Sequence, residues 1–163
     1  MTQEPMSPAP DSNPTGRPAG GGAAALQSAH RLDLGIIAAG VIAFLASLMP
    51  YYTVSFKAFG ISSDGSVSAW HGFFGWFGAL LALAAAVVLV LHIMGQALPV
   101  PVRTTVLGLM GAGLLCTILA LFIFPGGNVS GAGIDTGHGF GYWLALLATI
   151  AGTALAGMRR GEA

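Results

Sequence analysis

Charge is what this chain most lacks. Only 7% of its 163 residues are Asp, Glu, Lys or Arg, while 55% are apolar, and the mean hydropathy is +0.78. Soluble domains carry about 25% charged residues. A water-covered globule of this size is therefore excluded, and lipid must cover much of the surface. Six basic and six acidic residues cancel to a formal net charge of zero, and no nucleic-acid partner is expected. Cysteine is nearly absent as well. Cys116 stands alone, which rules out an intrachain disulfide, and in its apolar run it reads as a small hydrophobe. Recognisable catalytic motifs are also missing. There is no HExxH, no CxxC and no nucleotide-binding glycine loop; Gly137-His138-Gly139-Phe140-Gly141 is glycine-rich but precedes an apolar run and lacks a lysine. No catalytic residue, resident metal or cofactor is expected on these grounds.

What is present is a set of long apolar runs. Segments 34–52, 70–94, 104–124 and 140–158 contain no Asp, Glu, Lys or Arg. Nineteen residues at ~1.5 Å each span ~28 Å, close to a hydrocarbon core of ~30 Å. The expected fold is an all-α membrane protein, a bundle of four transmembrane helices over residues 31–160. A Pro-, Gly- and Ser-rich tail over 1–30 reads as disordered, and 161–163 form a short tail. The absence of charge inside the spans counts against a proton relay, a voltage sensor or an ion-coupled transporter.

Basic residues set the expected orientation. With both termini cytoplasmic, Arg17, Arg31, Arg103, Arg159 and Arg160 lie inside and only Lys57 lies outside. Tyr51, Tyr52, Trp70, Trp76 and Trp143 sit near span ends, where aromatic rings suit the headgroup interface. The intervening stretch 53–69 has weak β character in Thr53-Val54-Ser55-Phe56 and Ser66-Val67-Ser68, around a turn at Ser63-Asp64-Gly65. Residues 128–137 read as a glycine-rich loop, and Asn128-Val129-Ser130 is formally a glycosylation acceptor.

The two halves resemble each other. Each has an apolar helix, a proline at its outer end (Pro50, Pro125), a loop with one aspartate (Asp64, Asp135), and then His-Gly-Phe at His71 or His138. The pattern reads either as a tandem repeat of two helical hairpins or as chance convergence on aromatic helix starts. Small residues recur every fourth position: Gly35, Ala39, Ala43 and Ser47; Gly78, Ala82 and Ala86; Gly108 and Ala112; and Gly141, Ala145, Thr149, Thr153 and Gly157, with Ala148, Gly152 and Ala156 as a second row. That spacing puts them on one helix face, where backbones approach closely in lipid.

His71, His138, Asp64 and Asp135 are the one constellation with metal-ligating chemistry, since two imidazoles and two carboxylates suit a divalent ion. The competing reading is that each histidine caps a helix start and meets headgroups or water. His92, at the other end of its span, reads as a headgroup contact.

Leu48-Met49-Pro50-Tyr51-Tyr52, ending the first span, and Ser68-Ala69-Trp70, opening the second, carry a resemblance to small four-helix membrane proteins of actinobacteria. It covers most of Leu34 to Arg160 and implies the four-helix fold but no activity. The tryptophan-bearing first loop also looks like that of the tetraspan claudins, but it lacks their cysteine pair. The expected role is a structural or accessory subunit of the bacterial inner membrane, in contact with lipid and with other membrane proteins or copies of itself. Two alternatives stand beside it: a pore or carrier for a small neutral solute, and a metal- or haem-binding protein using His71 and His138.

Overall fold

The computed structural model describes residues 29–58, 61–125, 127 and 134–161. The tail to residue 28, the Asn128-Val129-Ser130 triplet and residues 162–163 lie outside the described residues. Four helices are long and apolar enough to cross a membrane: α1 (Arg31–Leu48), α2 (Phe73–Ile93), α3 (Val102–Phe122) and α4 (Phe140–Gly161). They run up and down in a closed ring, each packed along two neighbours: α1 on α2, α2 on α3, α3 on α4 and α4 on α1.

The fold is mostly helical but not all-α, because a small sheet caps one end of the bundle. Strand β1 (Tyr52–Ala58) pairs antiparallel with β2 (Ile61–Val67) on one side and with β3 (Ile134–His138) on the other, in the order β2-β1-β3. The β character of the first loop is thus realised, but with a different turn. Ser63, Asp64 and Gly65 lie within β2, and Ala58 pairs with Ile61, so the connection falls at residues 59–60. The expected glycine-rich loop contributes β3, whose Tyr52↔His138 pairing joins the two halves of the chain.

Local chemistry explains the helix ends. Helix α1 stops at Leu48 rather than running on to Tyr52. Its cap Met49 is extended (φ −79°, ψ 171°), as the residue before a proline prefers. Helix α2 ends on Gly95 (φ +79°), whose N–H bonds to His92 O while Gln96 N–H reaches back to Leu91 O. This paired closure is the one a left-handed glycine permits.

Small residues hold the ring together. A Cβ on Gly40 would stand 2.5 Å from Ala82 O and 2.9 Å from Ala86 Cβ, which marks the α1–α2 contact. Gly78 and Gly113 face each other, a Cβ on either lying 3.1 Å from the other's carbonyl oxygen, and this joins α2 to α3. A Cβ on Gly152 would meet Met110 Sδ at 2.9 Å and Ala39 Cβ at 3.2 Å, so the second row on α4 faces both α1 and α3. The Gly108 row differs from expectation. Nothing lies within 4 Å of a Cβ there, and α3 packs instead through Val106, Met110, Gly113 and Thr117. Buried Thr117 and Thr149 donate to the carbonyls of Gly113 and Ala145, four residues back, at 2.9 Å each, which satisfies their hydroxyls within the helix.

Candidate functional site

The sheet end of the bundle gathers the aromatic and polar groups. The chain leaves α1 through Pro50, and this reversal points Tyr51 and Tyr52 inward. Both were expected at the lipid interface; they are instead 1% and 0% exposed. They pack with Tyr142, Phe124 and His138 as an aromatic cluster, with ring centroids 4.3 to 5.8 Å apart along its contacts. Tyr142 Oη donates to Thr117 O at 3.3 Å. His138 Nε2 lies 3.2 Å from Ala120 O. A carbonyl only accepts, so this bond places the ring proton on Nε2. The Tyr52 hydroxyl is buried without a hydrogen-bond partner among the described residues. Burial pushes the Tyr51 phenol well above its ordinary range, and pushes Tyr52 up to about 12, since both lose the water that would stabilise a phenolate.

Trp70, Phe73, Phe140 and Trp143 are exposed at this same end, while Trp76 is half-buried. Trp70 stacks on Trp76 at 6.4 Å, and Phe73 meets Trp76 edge-on at 5.4 Å. Phe73 and Phe140, the first residues of α2 and α4, thus face outward, whereas Tyr51 and Tyr52, which follow α1, face inward.

The four residues of the candidate metal constellation are not brought together. Asp64 and Asp135 are each directly opposite Ser55, one on either side. Directly opposed residues share a face of a sheet, so the two carboxylates sit two strands apart, about 10 Å. His138 is three residues from Asp135 on the same strand and projects from the opposite face. His71 is exposed in a short 3₁₀ turn (Ala69–His71). Among the described residues no group of three or more His, Cys, Asp or Glu is placed to hold a metal ion.

Alternation gives the sheet two different faces. One carries Thr53, Ser55, Lys57, Ser62, Asp64, Ser66 and Asp135. The other carries Tyr52, Val54, Phe56, Ile61, Val67, Ile134 and His138, together with Ser63 opposite Phe56 and Gly65 and Thr136 on either side of Val54. The Tyr52–His138 row of this second face packs on the bundle. Farther out, Val54, Phe56 and Ile61 are exposed, and β2 is exposed along its whole length.

The opposite end of the bundle holds a feature the sequence reading missed. The expected first span, 34–52, is free of charge, but the helix starts three residues earlier, at Arg31, and buries Asp33 in its first turn. Arg159, in the last turn of α4, grips Asp33 with Nε to Oδ1 at 2.9 Å and a second nitrogen to Oδ2 at 3.2 Å. Each charge also suits the helix end it occupies, acid at an N-terminus and base at a C-terminus. Beside this pair lies a cavity of about 50 Å³ lined from all four helices, including Ile36, Leu89, His92 and Val106. Water needs about 10–15 Å³ of such space per molecule, so it has room for a few waters. The signal was available in the sequence: with both termini on one side, the first turn of the first helix and the last turn of the fourth share a level.

No family model, no curated protein and no solved structure matches this chain.

Proposed function

We propose that this chain is a multi-pass protein of the bacterial inner membrane, with both termini cytoplasmic, and that it serves as a structural or accessory subunit without catalytic activity of its own. The orientation is supported by charge: Arg31, Arg103, Arg159 and Arg160 belong to the end opposite the sheet, and Lys57 belongs to the sheet. Arginines near span ends favour the cytoplasmic side.

The observation that carries the subunit reading is the set of large apolar side chains exposed on the outer part of the sheet. Val54, Phe56 and Ile61 project from strands that extend beyond the packed Tyr52–His138 row. Ser63, Gly65 and Thr136 lie between them, and large apolar side chains held exposed on a sheet outside the lipid core suit a surface that another protein covers. A carrier would need a route along the bundle, and fully buried Ile36, Ala43, Met110 and Tyr142 occupy the interior of a single chain.

The test is purification from the native membrane in mild detergent, followed by native mass spectrometry. We expect a second protein in fixed ratio, lost when Val54, Phe56 and Ile61 are all changed to Ser while the melting temperature stays the same. A chain that emerges alone, or a triple variant that keeps its partner, would sink the subunit reading. Orientation is checked with Gly65→Cys and Gln96→Cys in a Cys116→Ala background. A membrane-impermeant maleimide should label the first from outside intact cells, and labelling of the second would reverse the topology.

A further inference from the structure

We propose that the groove between the α2–α3 turn and the end of α4 binds the phosphate headgroup of an anionic phospholipid. The groove has a volume of about 800 Å³. Its polar lining includes the guanidinium groups of Arg103 and Arg160, the His92 imidazole and the Gln96 amide, and it includes no acidic side chain. Arg159, one residue before Arg160, is neutralised by Asp33. Arg103 and Arg160 are exposed and form no ion pair among the described residues. The groove is thus a concentration of positive charge that the described chain leaves uncompensated.

Helix α3 starts at the groove. Its cap is Pro101, which makes no side-chain hydrogen bond to the first turn. The N–H groups of that turn have no intrahelical partner and carry the positive end of the helix dipole. They reinforce the two arginines, whose planar forks match phosphate oxygens bidentately.

Apart from Thr104, the remaining lining, Ala97, Leu98, Val100, Pro101 and Val102, is apolar. A free phosphate has no use for such a wall. A phospholipid uses both parts, because its phosphate is tied to a glycerol and acyl chains. Basic pockets at the cytoplasmic ends of membrane helices suit such headgroups. The inference rests on the proposed insertion, which puts this end at the inner headgroup layer.

The test uses the full chain in detergent, offered equal phosphatidylglycerol and phosphatidylcholine and read by native mass spectrometry. One phosphatidylglycerol per chain should be retained. Two arginines near an anionic headgroup imply a preference of about thirtyfold. R103Q/R160Q should lose the preference, R103K/R160K should keep part of it, and Arg31→Gln, at a helix end outside the groove, should keep all of it. Inorganic phosphate at millimolar concentration should displace nothing. Equal retention of phosphatidylglycerol by R103Q/R160Q would overturn the proposal. Displacement by phosphate alone would also overturn it, and would assign the groove to soluble phosphate compounds. Maleimide labelling of Gly65→Cys in each variant reports insertion separately. A failed orientation is thereby distinguished from a failed binding site.

Discussion

His71-Gly72-Phe73 and His138-Gly139-Phe140 are identical in sequence and differ in everything around them. Each triplet ends on the first residue of a helix, Phe73 in α2 and Phe140 in α4. The first histidine is exposed in a 3₁₀ turn. The second ends a strand, bonds to Ala120 O and packs on Tyr52, Phe124 and Tyr142. The difference comes from the neighbours. Four residues after His138 stands Tyr142, 4.3 Å away ring to ring, whereas four residues after His71 stands Gly75, pressed against the Ala69 backbone. Pro50 is followed by two tyrosines and Pro125 by two glycines. The tyrosines of the first half thus furnish the aromatic core around the histidine of the second. A short motif marks where a helix begins, but its role depends on the volume that distant segments bring to it.

The largest effect should come from emptying the second site. Tyr142→Ala removes a fully buried ring from the centre of the cluster and should cost about 3–5 kcal/mol, read as a lowered melting temperature in detergent. A loss below about 1 kcal/mol would mean that the second helix start is no more packed than the first.

A smaller loss is expected deeper in α4. Counting from the two histidines, Gly152 corresponds to Ala85, and both are buried. Gly152→Leu would drive a side chain into Met110 and Ala39 and should cost about 1–3 kcal/mol by overpacking. Unchanged thermal stability would place that face against lipid.

The histidines themselves sharpen the comparison most directly. His138→Ala loses a hydrogen bond and ring contacts and should cost about 1–2 kcal/mol. His71→Ala, at an exposed position, should stay within about 0.5 kcal/mol. Equal effects would erase the distinction, and a stoichiometric metal lost in both variants would revive the metal-binding reading. The two histidines differ in packing, since His138 contacts Tyr52, Phe124 and Tyr142. Only His71 is free of the buried cluster.

The smallest change is expected from alkali. The folded pKa of Tyr52 is raised from 10.0 to about 12, and Tyr51 is raised in the same direction. The folded state therefore holds these protons more tightly than the unfolded state. Stability is fully present below pH 10 and declines as pH climbs from about 10 towards 12. Phenolate absorbance should rise later for two tyrosines than for an exposed phenol, and Tyr52→Phe should flatten the decline. Simultaneous titration of every tyrosine near pH 10 in folded protein would contradict the burial.

Residue type and spacing alone determined that four apolar helices exist and roughly where each lies. Hydropathy sums along a continuous segment, and Pro50 or Gly95 acts on its own backbone, so neighbours far away are not needed. The same holds for the β character of Thr53 to Phe56. Tertiary structure decided the rest. The pairing of Tyr52 with His138 joins positions 86 residues apart, and Asp33 meets Arg159 across 126. Such contacts depend on the register of whole elements, which no local pattern carries. Tyr51 and Tyr52 show the consequence: an aromatic ring near a helix end suits a headgroup layer or a protein interior equally well. Only the strand from the far half, folded over them, made theirs the interior.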